Sequence, residues 1–212
     1  MTKTIAKIRP AALAALLLAG TQAYAVGTGT IADGVGNIST SGRTTTVNQS
    51  SDKLIINWDN MNVASNETLA FQQPSTTASV LNRINSIDPT SILGNLTSNG
   101  RVYIVNPNGV LFGSTARVNV GSLVASSLNI SDEVFKNPTG WRQALTFSGG
   151  GNGDVINNGR INADTSVALI GGGLVENNGA IHSTRGDIAL QSGGTVIFFL
   201  RLSGQHALGY CR

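Results

Sequence analysis

Apolar and polar residues alternate over short stretches of the chain, and Gly, Asn, Ser or Thr interrupts the alternation every few residues. Leu54, Ile56 and Trp58 occupy every second position, as do Leu69 and Phe71, which is the period of a strand with one face on a core. The two runs flank Ala64–Thr68, read as a loop between strands. Val26–Ser50 sets Ile31, Val35, Ile38 and Val47 among Gly, Thr and Ser and predicts short edge or capping strands. Over Ala78–Ile87 the spacing of Val80, Leu81, Ile84 and Ile87 is compatible with a helix, so a turn of helix or an irregular strand is expected there. From Asp88 onward, apolar residues such as Ile92, Leu96, Val118 and Leu123 recur between Gly94, Gly100, Gly113 and Gly121, a pattern of strand and turn throughout. Ser131–Gln143 is polar, carries Pro138-Thr139-Gly140, and reads as a loop or hairpin outside the main sheet.

The pattern is sharpest over Arg101–Val120. Two β-branched and aromatic runs, Val102–Val105 and Val110–Phe112, bracket Asn106-Pro107-Asn108-Gly109. The tetrad fits a type I turn in order, with Pro107 presetting φ at the second position and Gly109 at the fourth. A type I turn splays the strands of a tight hairpin, which prefers the mirror-image types. The tetrad therefore predicts a corner between strands on different faces of a sheet structure.

An internal repeat supplies the architecture. Residues 155–173, VINNGRINADTSVALIGGG, align with 175–194, VENNGAIHSTRGDIALQSGG. Asn157, Asn158, Gly159 and Ile161 recur as Asn177, Asn178, Gly179 and Ile181, and Val167-Ala168-Leu169 as Ile188-Ala189-Leu190. A period of about 20 residues with strand alternation means stacked coils of a solenoid. The Leu-x-x-Leu-x-Leu frame of leucine-rich repeats is missing, and a parallel β-helix fits better. Asn157 with Asn177, and Asn158 with Asn178, then form the corners of an asparagine ladder along the axis. If all of the mature chain were helical, about nine coils at about 4.8 Å each would give a rod roughly 40 Å long.

Composition changes the picture at the termini. Lys3, Lys7 and Arg9 precede the apolar run Ala11–Ala19, and Ala23-Tyr24-Ala25 has the small-x-small form of a cleavage site. Residues 1–25 are thus expected to be a signal peptide. Three of the 14 basic residues lie in this leader, which leaves 11 against 11 acidic residues in the mature part. The basic pI then carries no implication of nucleic acid as a partner. One cysteine, Cys211, excludes an intramolecular disulfide framework. Asp33, Asp52, Asp59, Asp88, Asp154, Asp164 and Asp187 are scattered singly, and the adjacent pair Asp132-Glu133 would face opposite ways on a strand. His182 and His206 lack the spacing of a metal pair. No catalytic, cofactor or metal residue is assigned, and the reading is of a protein that is not an enzyme. Trp58 and Trp141 read as core or loop anchors.

The run SILGNLTSNGRVYIVNPNGVLFGSTARVNVGSLVASSLNI (91–130) resembles the haemagglutination-activity or two-partner secretion domain. That domain opens filamentous haemagglutinins, related adhesins and contact-dependent inhibition proteins of Gram-negative bacteria. INWDNMNVASNETLAFQQPS (56–75) and SVLNRI (79–84) match the preceding segments of the same family, so the resemblance covers about residues 26–195. It implies a right-handed parallel β-helix with N-terminal cap strands and an extra-helical hairpin. It also implies export through the periplasm to the medium or cell surface. The implied partner is an outer-membrane β-barrel transporter with periplasmic docking domains, and for full-length relatives also host-cell surfaces. The family's secretion motif maps onto Asn106, Pro107, Asn108 and Gly109. A second tetrad of many members, Asn-Pro-Asn-Leu, is absent here, which bears on the subtype of transporter. The alternative class is a stand-alone surface adhesin, with a β-helix polysaccharide-active enzyme behind it. Residues 196–212 depart from the repeat: Ile197-Phe198-Phe199 stands where another Asn-Asn-Gly corner is due. This tail reads as a truncation or frameshift remnant, or as an apolar cap over the last coil.

Overall fold

Inward-facing aliphatic side chains stack coil on coil to form a parallel β-solenoid of about seven turns. The computed structural model describes residues 26–138, 144–199 and 210–211. The expected leader with Ala23 and Ala25, Trp141 and His206 lie outside the described residues.

In chain order, β1 (Gly29–Asp33), β2 (Gly36–Ser41) and β3 (Thr44–Gln49) come first. Next are β4 (Lys53–Trp58), β5 (Thr68–Gln72) and β6 (Ser79–Ile84). Complete coils begin with β7 (Thr90–Ile92), β8 (Asn95–Ser98) and β9 (Arg101–Val105), followed by β10 (Gly109–Phe112), β11 (Arg117–Val120) and β12 (Ser122–Ser126). An excursion carries α1 (Asp132–Lys136) and β13 (Ala144–Ser148). Two more coils are β14 (Asp154–Asn157), β15 (Arg160–Ala163) and β16 (Val167–Gly171), then β17 (Val175–Asn177), β18 (Ala180–Ser183) and β19 (Ile188–Ser192). β20 (Thr195–Phe199) and β21 (Tyr210–Cys211) close the series.

Three sheets make the walls of the prism. Sheet A runs β1-β4-β6-β9-β12-β16-β19, sheet B runs β2-β3-β5-β8-β11-β15-β18, and the shorter sheet C runs β7-β10-β14-β17. Every pairing between coils is parallel, whereas β1 on β4 and β2 on β3 are antiparallel and cap the N-terminal end. Fewer turns form than the nine expected because this cap and the excursion use chain without adding coils. Val102 pairs with Leu123, 21 residues on, and Val167 with Ile188, also 21 on, but Leu123 with Val167 is a step of 44.

The central strands of sheet A, β4 to β16, are buried on both faces. Leu54, Val80, Val102, Leu123 and Val167 share one inward row, and Ile56, Ile104, Ala125 and Leu169 another, all within the main core. Outward-facing Ile55, Leu81, Tyr103, Val124 and Ala168 belong to a second core with Phe135 of α1, Leu145 and Phe147 of β13, and Val196 and Phe198 of β20. This double burial explains the misleading helical spacing at Ala78–Ile87. β6 is a regular strand paired along its length with β4 and β9, and a strand covered on both faces needs no alternation. One inward position is polar. Asn82 is fully buried, accepts from Trp58 Nε1 at 2.9 Å and donates to Tyr103 O at 3.0 Å. The pair satisfies what burial in a low-dielectric core would otherwise leave costly.

The polar excursion is not simply a loop. Ser131 caps α1 by accepting from Val134 N, and Phe135 packs edge-on against Tyr103 with ring centroids 5.3 Å apart. Asp132 pairs with Arg83 of β6, and Lys136 with Asp33 of the cap at 2.9 Å, so Asp132 and Glu133 sit in a helical first turn and not on a strand. The two main strands outside the coils, β13 and β20, pair antiparallel from distant parts of the chain.

Tyr103 makes this second layer sensitive to alkali. Burial pushes its hydroxyl from the ordinary 10.0 up to about 12. The folded state thus keeps the proton to higher pH than the unfolded chain, so the stabilisation is intact below about pH 10 and is lost as pH rises towards about 12. Tyr103→Phe is expected to match the parent in urea unfolding at about pH 8 and to exceed it by on the order of 1 kcal/mol at about pH 11. Equal alkaline losses in both proteins would remove Tyr103 as the cause.

Candidate functional site

The tetrad Asn106–Gly109 carries the chain from β9 in sheet A to β10 in sheet C, so it turns a corner of the prism and joins no hairpin. Gly109 N donates to Asn106 O at 2.9 Å and closes the turn, while Asn108 N donates to Asn106 Oδ1 at 2.9 Å. The second bond is an Asx turn, which asparagine supplies from its own side chain. Gly109 has φ +114°, a conformation that L side chains rarely adopt, and a Cβ there would stand 2.6 Å from Asp154 O.

Both asparagine side chains bind the coil before them, Asn106 from inside the core and Asn108 at the surface. Asn106 is fully buried, and its Nδ2 donates to Asp88 O and to Thr90 Oγ1, each at 3.0 Å. Asn108 Nδ2 donates to Ser86 O at 2.8 Å. The tetrad thereby fastens the loop Asn85–Pro89, the corresponding corner one coil earlier. On its other side Pro107 O accepts from Gly153 N at 3.2 Å, and Gly151 lies so close that a Cβ would be 1.8 Å from Pro107 O. These neighbours are absent from the sequence reading because they lie tens of residues away. The run Gly149-Gly150-Gly151 is the one sequence sign of a close backbone approach.

The Asn-Asn-Gly corners stack directly. Asn157 Nδ2 donates to Asn177 Oδ1 at 2.7 Å, and Asn178 Nδ2 to Asn158 Oδ1 at 3.2 Å. Asn157 is fully buried and also accepts from Gly159 N at 3.1 Å, so its rung carries the greater constraint. A third rung, Asn162 Nδ2 to Asn119 Oδ1 at 2.9 Å, lies on the outer face of sheet B. The excursion hides it in the sequence by setting its partners 43 residues apart.

Among the described residues, three of the scattered acidic side chains are held in local bonds. Asp132 is taken by Arg83, Glu133 accepts from Asn137 Nδ2 at 2.9 Å, and Asp154 accepts from Leu174 N at 2.8 Å. Among the described residues no group of three or more His, Cys, Asp or Glu is placed to hold a metal ion. His182 is exposed on β18 opposite Asn162. Trp58 is a core residue of β4.

Residues 22–206 match the family model of the TPS secretion domain. A heme/hemopexin-binding protein of Haemophilus influenzae is 32% identical over 173 residues, 79% of this chain and 19% of that protein. A second heme/hemopexin-binding protein of Haemophilus influenzae is 36% identical over 85 residues, 40% of this chain and 9% of its own length. The crystal structure of the HMW1 secretion domain from Haemophilus influenzae superposes with a TM-score of 0.76 at 30% identity, covering 88% of this chain and 48% of that one. The chain spans about a fifth of the length of the first relative. With its β-solenoid and the match running from residue 22 to residue 206, the chain belongs to the family of TPS secretion domains.

Proposed function

We propose that this domain is the export signal of a two-partner secretion system, in which the Asn106–Gly109 corner enables a cognate outer-membrane transporter to accept the chain from the periplasm. The observation that supports the reading is where the tetrad's amides go. Asn106 and Asn108 spend their donors on Asp88, Thr90 and Ser86, so the motif builds a rigid corner rather than a loose ligand. A transporter with periplasmic docking domains would then meet a preset surface. Strand addition could supply further affinity at the outermost cap strands, β1 and β2, which end their sheets. Folding outside the cell coil upon coil makes each emerged coil a template for the next, so backsliding becomes less favourable as export proceeds. That supplies direction without ATP at the outer membrane.

The test is export in cells that also make the cognate transporter. Asn108→Ala removes the bond to Ser86 with little disturbance to the core, and Asn106→Leu removes both donated bonds and the Asx bond from Asn108 N, at a cost of about 2–3 kcal/mol. Both variants are expected to accumulate in the periplasm while the parent reaches the medium. Undiminished secretion of both would refute the role assigned to the corner.

A further inference from the structure

The three walls of the prism present different chemistry to the outside. Sheet A is covered by the chain's own second layer. The outer face of sheet B carries Thr46, Ala70, Thr97, Asn119 and Asn162 in one row, a mostly polar wall. Sheet C lies outside the second layer and carries an apolar pair between polar ends. Its central outward row is Ser91, Leu111, Ile156 and Glu176, with Leu111 and Ile156 half-buried and directly adjacent. Leu93 extends the apolar strip by lying over Gly113, where an added Cβ would be 2.4 Å from its Cδ2.

At the corner of the same wall stands Ile87, 88% exposed, the most exposed large apolar residue of the described chain. A single exposed isoleucine is ordinary. This one is held in place. Ser86 O and Asp88 O, on either side of it, accept from Asn108 and Asn106, so the loop is pinned and the side chain stays presented to solvent. The tetrad thus ties its buried Asn106 and its exposed Asn108 to an exposed apolar knob. The wall also has a charge signature: Asp88 and Asp154 are exposed at this corner, Glu176 lies in the outward row, and that row contains no cation.

We infer that the outer face of sheet C, with Ile87 at its corner, is the surface that docks on the periplasmic part of the cognate transporter, into an apolar groove rimmed by basic residues. The inference rests on the export reading above and gives the tetrad a positioning role, since Asn106 and Asn108 need not touch the transporter. An apolar centre with a charged rim is the general anatomy of a docking patch, and rigid presentation lowers the entropic cost of docking.

The experiment measures binding of the full chain to the purified full-length transporter in detergent, together with export. The triple variant Ile87→Ser, Leu111→Thr, Ile156→Thr changes only outward positions, and threonine retains strand preference. It is expected to melt near the parent and to lose about tenfold or more in transporter affinity, with export falling in step. Thr46→Asn with Thr97→Asn on sheet B is expected to change neither. Ile87→Ser alone, at an exposed loop tip, is expected to weaken binding about threefold and keeps the test decisive should the triple variant fold poorly. Full affinity in both the triple and the single variant, with the parent bound and exported, overturns this inference and leaves the export reading standing. Failure of the parent to bind or be exported overturns both. If the triple variant keeps its affinity but turns a sedimenting dimer into a monomer, the wall pairs two copies of this chain and the inference is likewise overturned.

Discussion

Replacing Gly151 by alanine is expected to lower the stability of the domain by about 3 kcal/mol, a fall of roughly 6–12 °C in melting temperature, and to abolish export. The added methyl would stand 1.8 Å from Pro107 O, 2.5 Å from Pro107 C and 3.0 Å from Pro107 Cα. All three are backbone atoms, so no side-chain rotation relieves the overlap. Either the excursion's return strand moves away or the corner does. Moving the corner breaks the bond from Gly153 N to Pro107 O and shifts the asparagines that pin the Ile87 loop. Gly194→Ala is the matched control: an added Cβ there meets nothing within 4 Å. It is expected to be neutral or to stabilise by up to about 1 kcal/mol through a less flexible unfolded chain. Urea unfolding of the two variants decides the matter. Equal midpoints would mean that the close approach at Gly151 relaxes at no cost, and the tetrad would lose its support from the next coil.

Much of this architecture is legible in the residues themselves. The tetrad was placed as a corner because a type I turn cannot close a tight hairpin, and Gly109 N to Asn106 O shows it closed between sheets A and C. The repeat at 155–194 was found because two complete coils follow each other there without interruption, so equal positions recur after 20 or 21 residues. Earlier coils obey the same geometry with unequal spacing, and Leu54, Val80 and Val102 share a row at steps of 26 and 22. Periodicity in sequence therefore under-reports periodicity in space. At β6 the pattern admits a turn of helix beside the strand that forms, for another reason. Strand patterns assume one wet face, and Leu81 faces a second core that is assembled from α1, β13 and β20. The partners of Asn106 share that invisibility, since hydrogen bonds to Asp88 O carry no side-chain signature at position 88.

Ending the chain after Thr195, where the repeat stops, is expected to destabilise the domain by about 3–6 kcal/mol. Repeat logic alone predicts little effect, because no coil is lost. The structure predicts a large one, because Val196 and Phe198 of β20 are buried against the outer face of sheet A. Each such side chain contributes about 1.5–3 kcal/mol by burial, an upper range because unfolded chains already bury some of that area. β13 would also lose the strand it pairs with from Ala144 to Ser148, and Phe147 would be uncovered. The shortened chain should therefore bind a hydrophobic dye, unfold at lower urea and leave Tyr103 open to titrate nearer its ordinary value. Restoring residues up to Phe199 should recover most of the stability, since it returns the whole pairing with β13 and leaves missing only the short pairing of Val196 and Ile197 with β21. If the chain ending at Thr195 unfolds at the parent's midpoint, the run that breaks the repeat contributes nothing to the fold, and the second core rests on α1 and β13 alone.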